Sequence, residues 1–424
     1  MSLSRYLKIW PCPDRDNHFI LYSTKKGAMT RVSSALLSAA VAGTLPDAVR
    51  ETLTRLEIWC DDPAAERRLM LDILSNADRN RRFFQAQLVL NLDCNLACPY
   101  CFEEPFRHRQ YMTDEIASQA VAMLSGKLQS GLDVEVDFYG GEPLLSKPLL
   151  KRIAGQLRQA AAEHGRSFSF FLFTNGVLLT RSLVEELLPL GLRGALITLD
   201  GPREIHDLQR PLVSGKGSFD QIVANVRDVC QLIDIDLGGN YNQESFRRFP
   251  ELLDYLVEAG ITPDRLCNVQ FSPISAKSTS SHDGIAICAT ADDGCMQEAI
   301  PFLRREIRRR GFPQKKPKIG ACVVEFSNFL VVNHDGALYK CPTFMGWPEL
   351  SIGSLESGIK DYSASHKLLY WQNDECLDCA YLPLCFGGCR LNPLLKNGSI
   401  NELDCRREFF DSTLEQLVRQ NLPS

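Results

Sequence analysis

The chain has 424 residues, 45% of them apolar and 23% charged, with a formal net charge of −5. That is the composition of an ordinary globular protein with room for two or three domains. It gives no electrostatic reason to bind nucleic acid or an anionic membrane, and no apolar stretch approaches the ~20 residues that cross a bilayer. The opening "MSLSRYLKIWPCPDRD" lacks the apolar region and cleavage site of a signal peptide, which predicts a cytoplasmic protein.

Residues 1–83 read as a compact α+β unit. "YLKIWPC", "HFILYST" and "GAMTRV" are short strands, and "SSALLSAAVAG" and "PDAVRETLTRL" carry helical apolar spacing. No cluster of chemical residues falls here, so the segment is a structural cap or a peptide-binding module.

From residue 84 to 312 strand and helix alternate six times. The strands are "FQAQLVLNL", "LDVEVDFYGG", "SFSFFLFTNG", "GALITLDG", "IDIDLGGNY" and "RLCNVQFSPI". Amphipathic stretches such as "DEIASQAVAMLSGKL" and "FDQIVANVRDV" lie between them. This alternation predicts a parallel sheet, and the residues with chemistry fall at the strands' C-terminal ends. The expected fold class is therefore α/β, a partial (β/α)6 TIM-like barrel. The basic run "RREIRRRG" at Arg304–Gly311 reads as a solvated helix face.

Residues 313–424 change character. "NFLVVNHDGALYKC" reads as a hairpin turning at "HDG", dense cysteines follow, and "RREFFDSTLEQLVRQ" closes the chain as an amphipathic helix. So many cysteines in a cytoplasmic protein point to metal rather than to disulfides. Of the 16, three lie at Cys94, Cys98 and Cys101, and seven at Cys322, Cys341, Cys376, Cys379, Cys385, Cys389 and Cys405. Cys12, Cys60, Cys230, Cys267, Cys288 and Cys295 are scattered, and most read as buried small hydrophobes.

The loop "CNLACPYC" has the spacing C-x3-C-x2-C. Zinc wants four ligands in a closed tetrahedron, and no nearby His completes one. Three thiolates on one loop can instead hold three corners of an iron–sulfur cubane and leave the fourth iron open. The motif resembles that of the radical S-adenosylmethionine (SAM) enzymes, with Tyr100 just before the third cysteine. In that family SAM chelates the open iron and is cleaved to a 5′-deoxyadenosyl radical. The resemblance extends along the barrel. Gly140, Gly141 and Glu142 match the GGE motif that holds the methionine amino group. "TNG" at Thr174–Gly176 resembles the ribose-binding strand, with Asn175 as its polar residue. "TLDGPREIHDLQR" is similar to a stretch of the peptide-modifying branch, which implies that Thr198 and Arg210 help to hold SAM, Arg210 as a carboxylate partner.

The C-terminal spacings, C-x13-G-x4-C with Gly336, then C-x2-C-x5-C-x3-C and C-x15-C, resemble the SPASM domain of such enzymes. By that resemblance Cys376, Cys379, Cys385 and Cys405 hold an outer auxiliary [4Fe–4S] cluster. Cys322, Cys341 and Cys389 hold an inner one, three clusters in all with that of the barrel. The inner set lacks a fourth cysteine, so it has an open iron or borrows a ligand such as Cys295. Zinc is the alternative for the C-x2-C pair. Sulfatase maturases of the family carry an Asp after the cysteine matched by Cys341, where this chain has Pro342, which counts against that activity.

The resemblance thus implies a radical SAM oxidoreductase that matures a ribosomally made, Cys-rich precursor peptide, and thioether crosslinking is the first expectation. A carbon–carbon crosslink or the oxidation of a Ser or Cys side chain is the alternative. A non-catalytic zinc adaptor is the alternative of another class. The topology of residues 1–83 resembles a PqqD-like leader-recognition element, and flavodoxin or ferredoxin is the implied reductant.

Overall fold

The computed structural model describes residues 2–103, 109–274, 294–314 and 320–422. Its packing divides the chain into two compact units, one of residues 1–80, 316–326 and 367–424, the other of 81–315 and 327–366.

The first unit begins with strand β1 (Ser2–Leu3), the antiparallel sheet β2 (Leu7–Pro11), β3 (His18–Ser23) and β4 (Met29–Ser33), then helices α1 (Ser34–Ala42) and α2 (Asp47–Arg55). Strand β5 (Trp59–Cys60) pairs with β1, and α3 (Pro63–Arg79) follows. The Ser33 hydroxyl caps α1 by accepting the Leu36 N–H, and Asp62 caps α3 at Ala64. Leu21, Val32, Leu53, Ile58 and Trp59 form one local core.

The second unit carries the six expected strands as a parallel sheet in sequential order: β6 (Phe83–Val89), β7 (Asp133–Tyr139), β8 (Phe168–Thr174), β9 (Leu192–Thr198), β10 (Asp234–Tyr241) and β11 (Asn268–Pro273). Helices α4 (Asp114–Gln129), α5 (Lys147–Glu163), α6 (Arg181–Leu187), α7 (Arg203–Gln209), α8 (Phe219–Val229), α9 (Phe249–Glu258) and α10 (Gly294–Arg309) connect or follow them. Alternation along β7 and β8 sends Val134, Val136, Phe138, Phe170 and Leu172 to the helix-covered core, where all are buried. The basic run lies at the end of α10, where Arg310 pairs with Asp254 and Glu306.

The hairpin forms as expected from β12 (Phe329–Val332) and β13 (Ala337–Tyr339), with the Gly336 N–H closing the turn onto the Asn333 carbonyl at 2.9 Å. Its place differs from a free-standing C-terminal element. Strand β12 pairs parallel with β6, and β14 (Gly353–Ser354) and β15 (Gly358–Ile359) extend the same sheet. The run Phe329–Val332 is apolar on both faces, which suits an interior strand and not an edge.

The remaining helices, α11 (Asp374–Leu377), α12 (Leu382–Cys385), α13 (Leu391–Asn397) and α14 (Arg407–Arg419), belong to the first unit. Cys376 lies in α11 and Cys385 ends α12, and such short helices leave little apolar surface of their own. The shortfall is met by the N-terminal segment. Tyr6, Met70 and Leu74 pack with Trp371, Leu377, Leu382 and Phe386, and Ile20 and Tyr22 pack with Tyr381, Leu414 and Val418. The Tyr6 hydroxyl donates to the Leu377 carbonyl at 2.9 Å, and Thr24 donates to the Ala380 carbonyl at 2.6 Å.

Of the scattered cysteines, Cys12, Cys230 and Cys295 are buried as expected, Cys60 is half-buried, and Cys267 is exposed. Cys288 lies outside the described residues. Cys295 packs in the barrel core. Among the described residues no helix is long and apolar enough to cross a membrane.

Candidate active site and cysteine centres

The C-terminal ends of the barrel strands surround a cavity of about 340 Å³. Cys94, Cys98 and Cys101 line it together with Tyr100, Gly140, Gly141, Asn175, Thr198 and Arg210, residues that the sequence places up to 116 positions apart (210 − 94). The cysteine loop is stitched down along its first half. The Ala97 N–H donates to the Pro211 carbonyl at 2.8 Å and the Val213 N–H to the Asn95 carbonyl at 3.0 Å, while the Cys94 N–H is held by the Asp93 carboxylate at 2.9 Å.

The two glycines of "GGE" meet this loop's root. A Cβ on Gly140, whose φ is +136°, would lie 2.2 Å from the Asn91 carbonyl oxygen, and one on Gly141 would lie 2.3 Å from that of Asp93. Only glycine permits β7 to turn so close behind the cysteines.

Glu142 is fully buried and does not line the cavity. Its carboxylate accepts the Leu144 N–H at 3.0 Å, the Asn175 N–H at 2.9 Å and the Thr174 hydroxyl at 2.8 Å. Burial pushes its pKa up, and the bonds from Asn175, Leu144 and Thr174 oppose the shift. Glu142 thus ties the end of β8 to the "GGE" turn. Asn175 in turn donates to the Asn95 side chain at 2.7 Å.

A second polar group lies at the ends of β9 and β10. The Tyr100 hydroxyl accepts from Arg210 at 2.7 Å and from Asn240 at 3.1 Å, and it donates to the buried Asp200 carboxylate. Asp200 also accepts the Asn240 N–H at 2.6 Å. Burial raises the Asp200 pKa, against the pull of Arg210. His206 accepts the Asp200 N–H on Nδ1 at 3.2 Å and so carries its proton on Nε2, which faces Ser218 at 2.9 Å. Burial first, with the Arg210 charge, lowers the His206 pKa to about 3. Asp207 caps α8 by accepting the Ser218 and Phe219 N–H groups at 2.8 and 2.9 Å. Sequence reasoning quoted Asp200, His206 and Asp207 within one stretch but gave them no role, and it missed Asn240.

Glu103 and Tyr139 complete the wall; Glu103 is buried and bonds to Tyr139, whose other neighbours include Cys101 and Cys341. Cys341 belongs to the barrel unit, and its thiol meets the Thr343 hydroxyl at 3.0 Å.

In the first unit Cys376, Cys379, Cys385 and Cys405 line a separate cavity of about 70 Å³. Burial pushes the Cys385 thiol up to about 11, with Arg406 opposing. Arg407 bonds to Cys379. Cys322 and Cys389 are also neighbours in this unit. The Asp404 carboxylate holds the Cys389 N–H at 2.9 Å and the Arg406 guanidinium at 3.1 Å.

The donor chemistry suits the expected groups. Three thiols from one loop border a cavity that Arg210 also lines, and the Arg210 Nε is buried with no hydrogen-bond partner among the described residues, a combination that fits a cluster and an anionic ligand together.

Residues 89–256 match the model of the Radical SAM superfamily. Curated relatives include Fe-coproporphyrin III synthase of Methanosarcina barkeri, 23% identical over 72% of this chain and 83% of its own. Another is the cysteine-type anaerobic sulfatase-maturating enzyme of Clostridium perfringens, 22% identical over 77% of this chain and 94% of its own. Among solved structures, native anSMEcpe with bound AdoMet and Kp18Cys peptide aligns with a TM-score of 0.62 at 20% identity, over 79% of this chain and 98% of that one. Streptococcus suis SuiB bound to precursor peptide SuiA aligns over 95% of this chain and 98% of that one, with a TM-score of 0.54 and 15% identity.

Proposed function

We propose that the chain is a radical SAM enzyme with a SPASM-type auxiliary domain and that its substrate is a peptide made by the ribosome. The observation that carries this reading is the reach of the SuiB likeness. It spans 95% of the chain against 79% for anSMEcpe. Among the described residues strands β2 and β4 each pair only with β3, so both edges of that small sheet offer backbone groups on which an extended leader would add as a strand.

When bound, the cluster and SAM supply a 5′-deoxyadenosyl radical that abstracts hydrogen from a substrate carbon. Cys94, Cys98 and Cys101 would hold the cluster, Arg210 would pair with the methionine carboxylate, and Thr198 and Asn175 present polar groups to the rest of SAM. From behind the wall Glu142 holds the Asn175 backbone N–H, and Asp200 holds the Tyr100 hydroxyl that meets Arg210. Cys376, Cys379, Cys385 and Cys405 would hold the outer auxiliary cluster, and Cys322 and Cys389 would be ligands of the inner one.

The reaction assigned is a two-electron oxidation of the peptide, giving an oxidised side chain or a carbon–carbon crosslink. The sulfatase-maturating relatives support that product over the thioether first expected. In the proposed balance the peptide gives up one hydrogen atom and then a proton and an electron, and a bound auxiliary cluster would supply the electron acceptor. Pro342 stands where those maturases carry an acid, so the proton acceptor must come from another residue or from the peptide.

The test is anaerobic reconstitution with the short peptides encoded beside the gene, read by mass spectrometry. The expected product is lighter by two hydrogens, and any thiol closed to alkylation is matched by a new aldehyde or thioaldehyde that a hydrazide traps. A product cysteine that resists alkylation after reduction and gives no hydrazide adduct would return the reading to a thioether. A holoenzyme that binds SAM yet makes no more 5′-deoxyadenosine with any peptide than without would exclude a peptide substrate.

A further inference from the structure

We infer that the Tyr100 hydroxyl is a spacer between Asp200 and Arg210, which orients the Arg210 guanidinium while keeping its fork open for an external carboxylate. The inference rests on the reading that the cavity takes SAM.

A buried carboxylate and guanidinium left to themselves form a two-pronged pair with N···O distances of about 2.7–2.9 Å, which uses the fork completely. Here Arg210 and Asp200 stay 3.9 Å apart although their side chains are 12% and 0% exposed. The phenol stands between them. It accepts from Arg210 Nη1 at 2.7 Å and from Asn240 Nδ2 at 3.1 Å, and it gives its one proton to Asp200 Oδ2. A phenolic oxygen has one donor and two acceptor sites, so its capacity is filled.

Asp200 is occupied as well. Its Oδ1 accepts both the backbone N–H and the side-chain amide of Asn240, at 2.6 and 3.3 Å. The charge of Arg210 is therefore balanced nearby, yet Nη1 is its only guanidinium nitrogen engaged among the described residues. Arg210 Nε is buried without a partner there. Such a donor costs free energy until an acceptor arrives, and a carboxylate is the acceptor whose geometry matches a guanidinium. The methionine end of SAM has one.

The backbone behind the pair is fixed too. Ser218 donates to the Arg210 carbonyl at 2.7 Å and faces His206 at 2.9 Å, and His206 accepts the Asp200 N–H. Neither residue can move away to reopen the gap, so the width of the gap depends on the phenol's oxygen. Tyr100 is in this sense a positioning residue, acting through Arg210.

The test measures equilibrium binding of SAM and of decarboxylated SAM to the anaerobically reconstituted holoenzyme. Tyr100→Phe removes only the oxygen and lets Asp200 close onto Arg210. Affinity for SAM should fall about tenfold or more, as expected for losing a charge-assisted contact, while affinity for the decarboxylated analogue changes by less than about twofold. Tyr100→Phe combined with Asp200→Asn removes the competing anion and should regain most of the loss, a non-additivity that a purely structural defect would not produce. The inference is overturned if Tyr100→Phe binds SAM like the wild type, if it loses both ligands alike, as a misfolded or cluster-free protein would, or if the double variant is weaker still. Failure of the wild type itself to bind SAM would instead remove the assignment of the cavity.

Discussion

Replacing Glu142 by glutamine asks whether this carboxylate works on the barrel or only on a cofactor. Both of its oxygens accept backbone N–H groups, Oε1 from Leu144 at 3.0 Å and Oε2 from Asn175 at 2.9 Å. Glutamine has one acceptor oxygen, so its amide nitrogen must face one of these donors. The Thr174 hydroxyl, within 3.0 Å of both carboxylate oxygens, can turn and accept from that nitrogen, but a backbone N–H cannot turn. One buried donor is left unmet, at about 1–3 kcal/mol. If the loss falls at Asn175, the turn Thr174–Gly176 opens locally about 5- to 150-fold more often, the population change that corresponds to that energy. Hydrogen–deuterium exchange on the metal-free Glu142→Gln protein, read on peptides covering residues 143–145 and 173–177, should show one of the two segments exchanging faster by that factor while α4 is unchanged. Wild-type exchange in both segments, together with weakened SAM binding, would refute the reasoning and assign Glu142 to the cofactor alone.

Gly140→Ala should lose iron at the barrel cluster, measured by iron content and electron paramagnetic resonance, because the new Cβ would sit 2.2 Å from the Asn91 carbonyl just ahead of Cys94. Gly155→Ala, in α5 with nothing within 4 Å of the new Cβ, should load normally and stabilise the protein by about 0.5–1 kcal/mol. Asp137 offers a pH test, since burial, opposed by the Gln85 bond, raises its pKa to about 6 from 3.8. A raised carboxylate pKa means that the native state holds the proton more tightly than the unfolded chain, so ionisation costs stability above about pH 6, and the cost disappears below about pH 4. Asp137→Asn should therefore melt higher than wild type at pH 8 by the equivalent of about 1–3 kcal/mol, with the gap closing as the pH falls through 6 to 4. A gap that widens toward low pH would contradict the assignment.

The barrel was legible because its signals are local. Six apolar alternating runs became six parallel strands in order, since each strand's two faces are written in its own residues. The three-cysteine loop and the "GGE" turn were legible for the same reason. The Tyr100–Asp200–Arg210–Asn240 group was not, because its members are spread over 140 residues (240 − 100) and meet only after the sheet has formed. Glu142 stood out as an acid in a motif, but sequence could not say which side of the wall it occupies. The hairpin was readable from "HDG", whereas its pairing with β6 depends on an edge left free by a strand some 240 residues earlier (329 − 85 = 244). The shared cores of the N-terminal sheet and the C-terminal helices were equally invisible, since apolar residues state that they will be buried and not against what.

Those shared cores impose an order on synthesis. Tyr6, Ile20, Met70 and Leu74 leave the ribosome early, but Trp371, Tyr381, Leu382 and Leu414 follow only after the 286 residues (366 − 80) that separate the first and last segments of the unit. At about 5–20 residues per second that is a wait of roughly 15–60 s, during which the N-terminal sheet holds part of its apolar surface uncovered. The local core around Leu21 and Trp59 can form at once, so the segment is half-built while it waits. An N-terminally truncated chain would pass that exposure to the cysteine-bearing helices, whose partners would then never come.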